Sequence, residues 1–87
     1  MIPRIEFIKP LPGYLLSVRF DDGKAVIYDV KEDIRTIKCF GDLVSIQGLF
    51  NHFQLDQSRT CVSWTDTIDL PSDIIYEYGK PAKSPEN

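Results

Sequence analysis

The chain has 87 residues, 43% of them hydrophobic and 26% charged, with enough aromatic side chains to build one small core; this composition argues against disorder and against a second domain. Thirteen acidic residues outweigh ten basic ones for a net charge of −3, a sign that disfavours unaided binding to phosphate backbones. No apolar run approaches the roughly 20 residues of a membrane span, and no charged start leads into an apolar leader with a small-residue cleavage site, so the expected compartment is the cytoplasm.

Residues 4 to 9 alternate, with Ile5 and Phe7 expected on the buried side and Arg4 and Glu6 on the wet side. Pro10-Leu11-Pro12-Gly13 then stops this first strand, because proline removes a ladder donor and fixes φ.

The clearest local signal follows, two runs of strand-forming residues between Leu15 and Val30 joined by Asp21-Asp22-Gly23. A two-residue loop would pair Leu16 with Asp29 and put a carboxylate on the apolar side. A three-residue loop, with Gly23 in the left-handed conformation, pairs Val18 with Val26, Leu16 with Tyr28 and Tyr14 with Val30. A slip of one residue turns every side chain over, so the wholly apolar face selects the three-residue loop. Ser17, Arg19, Ala25 and Asp29 then fall on the wetter face.

After Val30 the period changes. Ile34, Ile37, Leu43, Ile46, Leu49 and Phe50 recur at spacings of three and four, the pattern of short helices laying one apolar stripe on a sheet. Gly41 divides them, and Asp42 is placed to cap a helix over 43–48. Alternation returns around Asp56-Gln57-Ser58-Arg59, giving a second hairpin with Phe53, Leu55, Val62 and Trp64 facing inward and a turn that lacks glycine. Asp69, Pro71 and Asp73 then mark a helix start, with Leu70, Ile74 and Tyr78 on one face. The expected fold is α+β: a mainly antiparallel sheet of about five strands, a meander then a second hairpin, with short helices on one face. The domain is expected to span residues 1–79, and residues 80–87 to form a flexible C-terminal tail.

No spacing of reactive groups marks a catalytic centre. His52 is the single histidine, with Cys61 and Asp56 as its nearest candidate partners. A Cys–His pair needs an oriented base and an oxyanion site, and a lone histidine falls short of a metal ligand set. Cys39 and Cys61 lack a paired spacing and read as free thiols. Asp66, Asp69, Asp73 and Glu77 lie in a stretch, 60–79, without Lys or Arg. They lack the glycine-centred calcium-loop pattern. Helix capping and solvated surface are the plain explanation for them. Trp64, Tyr76 and Tyr78 among these acidic residues suggest a surface that receives Arg or Lys from a partner through ring faces and charge. Core packing of Trp64 is the equally simple alternative.

The ordered set Phe20-Asp21-Asp22-Gly23, Tyr28-Asp29-Val30, Leu49-Phe50, Val62-Ser63-Trp64, Ile68-Asp69-Leu70 and residues 73–76 resembles the bacterial domain-of-unknown-function family 2442. The likeness covers about residues 3 to 79. It implies a small α+β domain of uncharacterised function, in some relatives fused to a C-terminal helix-turn-helix and in others encoded beside another small protein, as toxin and antitoxin pairs are. At this length the chain is expected to lack the helix-turn-helix, and its charge agrees.

The function expected is therefore a non-enzymatic interaction module, antitoxin-like or regulatory, that partners a small basic protein through Trp64, Asp66, Asp69, Asp73 and Glu77. No catalytic residue, cofactor or metal is expected, and exposed sheet edges permit a homodimer. The alternatives are a small-ligand or metal-binding component using His52, Cys61 or the Asp66 to Asp73 group, and a transcription-regulator-related domain without its DNA-binding part.

Overall fold

The computed structural model describes residues 2–82. Strands β1 (Ile5–Leu11), β2 (Leu15–Phe20) and β3 (Ala25–Asp29) form an antiparallel meander. Helices α1 (Lys31–Thr36) and α2 (Asp42–Ser45) follow, interleaved with single 3₁₀ turns at Lys38–Gly41 and Leu49–Asn51. Strands β4 (Gln54–Leu55), β5 (Cys61–Ser63) and β6 (Asp69–Pro71) lead into helix α3 (Ser72–Tyr78), and β7 (Lys80–Pro81) completes the order. The architecture is α+β with antiparallel pairing throughout, but the strands divide into two sheets, β1-β2-β3-β7 and β4-β5-β6, where a single sheet was expected.

The first hairpin has the register its apolar face demands. Val18 faces Val26 and Leu16 faces Tyr28, Val30 N–H donates to the Tyr14 carbonyl, and the Gly23 N–H closes the turn on Phe20. Gly23 sits at φ +94°, the left-handed position that glycine fills without strain. Asp22 Oδ1 accepts from the Lys24 N–H at 2.9 Å, bracing the loop.

In β1 the expected alternation breaks. Ile5 pairs with Phe20 but Phe7 pairs with Arg19, a register shift that puts an extra residue at Glu6. Such a bulge turns the following side chains over. Ile8, opposite Val18, takes the inner face, and Phe7 stands 55% exposed.

The connecting helices are shorter than their apolar spacing suggests. Asp42 is the first residue of α2, with Gly41 at the cap position and no side-chain cap bond, so the expected Asp42 cap does not form. Ile37 and Ile46 both lie in extended backbone just past helix ends, and both are exposed, leaving Phe40, Leu43 and Phe50 to enter the core. A single helical turn has no continuous stripe to bury.

The second hairpin pairs Leu55 with Val62, as alternation requires. Its turn manages without glycine by holding Arg59 at φ +61° and by folding the loop around Asp56. Asp56 Oδ1 accepts from the N–H groups of Thr60 and Cys61 at 2.8 and 3.0 Å, and Oδ2 accepts from the Ser58 hydroxyl.

Residues 69–71 are a strand on β5, not the opening of a helix: Val62 pairs with Leu70 and Cys61 with Pro71. Proline is tolerated because β6 is an edge strand. The helix begins at Ser72, whose N–H donates to the Thr60 carbonyl and whose hydroxyl donates to the Pro3 carbonyl at 2.6 Å. The buried hydroxyl thus finds its acceptor in the chain's first residues.

The expected tail starting at residue 80 is also corrected. Lys80 and Pro81 pair with Ile27 and Val26, and the Ala82 N–H donates to Ala25. The rest of that segment, 83–87, lies outside the described residues. Gly79 permits the return, because a Cβ there would lie 2.7 Å from the Ile75 carbonyl oxygen and from Val26 Cγ2.

One core joins both sheets. Ile5, Leu16, Val18, Phe20 and Val26 come from the first, Val62 and Leu70 from the second, and Trp64, Ile68 and Ile75 from the segments between and after them. Burying each side chain of this size contributes about 1.5–3 kcal/mol before entropy is counted. Tyr28 is buried with its hydroxyl donating to Asp33 at 2.6 Å; burial first, and the Asp33 carboxylate second, hold its phenol well above the usual range.

Candidate functional site

An open groove of about 1260 Å³ lies where four stretches of chain meet. It is lined by Ile2, Pro3 and Arg4, by Phe20 and the turn residues Asp21, Asp22 and Lys24, by Ser58 and Thr60, and by Asp73, Tyr76 and Glu77 of α3. The rings of Phe20 and Tyr76 meet edge to face, centroids 4.9 Å apart.

Its polar groups fall into two kinds. The first kind is already engaged. Asp21 receives both arms of the Arg59 guanidinium, at 2.9 and 2.8 Å, and Arg59 Nη1 also donates to the Ile5 carbonyl. Asp22 Oδ2 accepts from the Tyr76 hydroxyl at 2.6 Å. That bond first, and the Lys24 N–H second, hold the Asp22 carboxyl below its ordinary value, while the same contact pushes the Tyr76 phenol up. Lys24 lies 4.0 Å from the centroid of the Tyr76 ring and donates to the Tyr76 carbonyl at 2.9 Å, where a cation meets the negative end of α3.

The second kind is exposed on α3. Asp73 and Glu77 stand four residues apart, on one side of the helix. Asp73 accepts only from the adjacent Ile74 N–H, and neither carboxylate has a cationic partner among the described residues.

Of the residues singled out in the sequence, Asp73, Tyr76 and Glu77 therefore reach the groove. Asp66, in the turn between β5 and β6, and Asp69, at the start of β6, are exposed but do not line it. Trp64 is corrected outright as a partner contact. It is 8% exposed, it packs against Phe40, Phe50 and Phe53, and its ring N–H donates to the Phe50 carbonyl at 3.0 Å. Tyr78, by contrast, is 66% exposed.

His52 is exposed just after the Leu49–Asn51 turn. Burial, and secondarily the charge of Asp69, raise the Cys61 thiol above its usual range. Among the described residues no three His, Cys, Asp or Glu side chains converge as a metal cage, and no helix is long and apolar enough to cross a membrane. Asp21, Asp22 and Ile2 enter the groove only through tertiary packing, and the local hint to them was the acidic turn itself.

Comparison of the chain with protein families, with curated proteins and with solved structures finds no match.

Proposed function

We propose that this protein is a non-enzymatic interaction module whose partner is a small basic protein, in the antitoxin-like or regulatory pairing that the resemblance to family 2442 implies. The observation that carries this reading is the state of the acidic stretch. Asp66, Asp69, Asp73 and Glu77 are all exposed, while the ion pairs among the described residues join Asp29 to Lys31, Glu32 to Arg35 and Asp21 to Arg59. Carboxylates left without cations project a field over a Debye length of about 8 Å at physiological salt, steering a positively charged surface toward them.

Co-expression with the product of the adjacent gene tests it. The two proteins are expected to co-purify at low salt and to part as salt rises. Recovery of this chain alone at every ionic strength contradicts the proposal.

A further inference from the structure

We infer that the groove between Ile2–Arg4 and α3 is where the partner docks, and that it takes a short peptide segment carrying Lys or Arg beside an apolar residue. This rests on the interaction reading above and adds its location and the chemistry of the segment.

The groove exceeds the 300–1000 Å³ or so of pockets that enclose a small molecule, and it is open to solvent. Its size suits several residues of a polypeptide. Its apolar part is unevenly used: Phe20 is buried, whereas Ile2 is 60% exposed and Tyr76 is half-buried. An apolar side chain laid between Ile2 and Tyr76 removes both from water.

Charge fixes the orientation. Asp21 is neutralised by Arg59, and Asp22 is bonded by Tyr76 and by the Lys24 backbone. Asp73 and Glu77 are the groove carboxylates without a cationic partner among the described residues, and Arg4 also lines the groove. A Lys or Arg of the segment therefore lands on the α3 side, with a neutral residue toward Arg4.

The probe is a ten-residue peptide alternating Arg with Val, titrated into ¹⁵N-labelled protein, with affinity read by fluorescence polarisation. Amide shifts are expected at Lys24, Asp73, Tyr76 and Glu77. The pair Asp73→Asn with Glu77→Gln is expected to weaken binding about tenfold, while the charge-matched pair Asp66→Asn with Asp69→Asn changes it less than about twofold. All four positions are exposed, so both variants are expected to fold. Equal losses in the two variants, shifts centred on residues 66–69, or shifts that track protein concentration as a second copy fills the groove each overturn the location. If co-expression yields a complex that the α3 pair leaves intact, the location is wrong and the partner reading stands; if no complex forms, the partner reading itself fails.

Discussion

Arg59 holds Asp21 through two parallel hydrogen bonds across 38 residues of sequence, tying the turn of the second hairpin to the turn of the first. The backbone reinforces the side chains, since Ile5 N–H donates to the Arg59 carbonyl and Asp21 N–H to the Arg4 carbonyl. Arg59 does this from a left-handed backbone conformation that costs a non-glycine residue energy. Two effects therefore oppose one another at this position. Arg59→Ala keeps the strain and loses the clamp, whereas Arg59→Gly loses the clamp but relaxes the backbone. Thermal unfolding should place the variants in the order wild type, Gly, Ala from most to least stable. An alanine variant at least as stable as the glycine variant contradicts this account of the turn.

Trp64 is predicted to be a folding determinant. Removing its ring leaves a cavity beside Phe40, Phe50 and Phe53 and frees the Phe50 carbonyl, so Trp64→Ala is expected to cost about 3–5 kcal/mol in denaturant titrations. Trp64→Phe keeps most of the packing and costs less. As the single tryptophan, Trp64 should also emit as a buried indole, shifting to longer wavelength on unfolding. Emission already at the solvent-exposed wavelength in native protein sinks the assignment.

Gly79 is predicted to tolerate no side chain. Its φ is −68°, so conformation is not the obstacle. The obstacle is contact, as a Cβ would press on Ile75 and Val26 at 2.7 Å. Gly79→Ala is expected to destabilise by about 1–3 kcal/mol, and amide exchange should accelerate at Ile27, where β7 pairs with β3. An unchanged midpoint contradicts the close approach.

Asp56 sets a pH dependence with a definite sign. The hydrogen bond from Ser58, followed by the N–H groups of Thr60 and Cys61, holds its carboxyl below the ordinary value. A depressed folded pKa contributes stability that is present above the unfolded value of about 3.9 and is lost as pH falls through the folded one. Asp22 and Asp29 act in the same direction. Stability should therefore fall below about pH 4, and Asp56→Asn should flatten that fall while leaving the slope above about pH 5 unchanged. A parallel acid limb in the variant removes Asp56 from this role.

Much of the fold was legible because local and tertiary demands agree. Between Leu15 and Val30 the alternation, the Asp-Asp-Gly turn and the apolar cross-strand pairs all require one register, and the chain adopts it. Where they disagree, the sequence misleads. Nothing local announces the extra residue at Glu6 that exchanges Phe7 for Ile8 in the core. Pro71 and Asp73 are true helix-start residues, yet the three residues from Asp69 pair with β5 before the helix begins. Asp73 and Glu77 could be picked out as an acidic helix face, but their groove could not, because it is assembled from residues 2–4, 20–24, 58–60 and 73–77. Trp64 drew attention through its acidic neighbours in sequence, whereas its ring turns inward to the aromatic cluster.

The central claim is that carboxylates without a cationic partner among the described residues recognise a basic protein. Calorimetric titration of the purified chain with the product of the adjacent gene, at about 50 and about 500 mM salt, tests it most directly. The account predicts a saturable complex whose affinity drops at least about tenfold at the higher salt and drops further with Asp73→Asn and Glu77→Gln. No heat of binding at the lower salt, or an affinity indifferent to salt and to both substitutions, contradicts it.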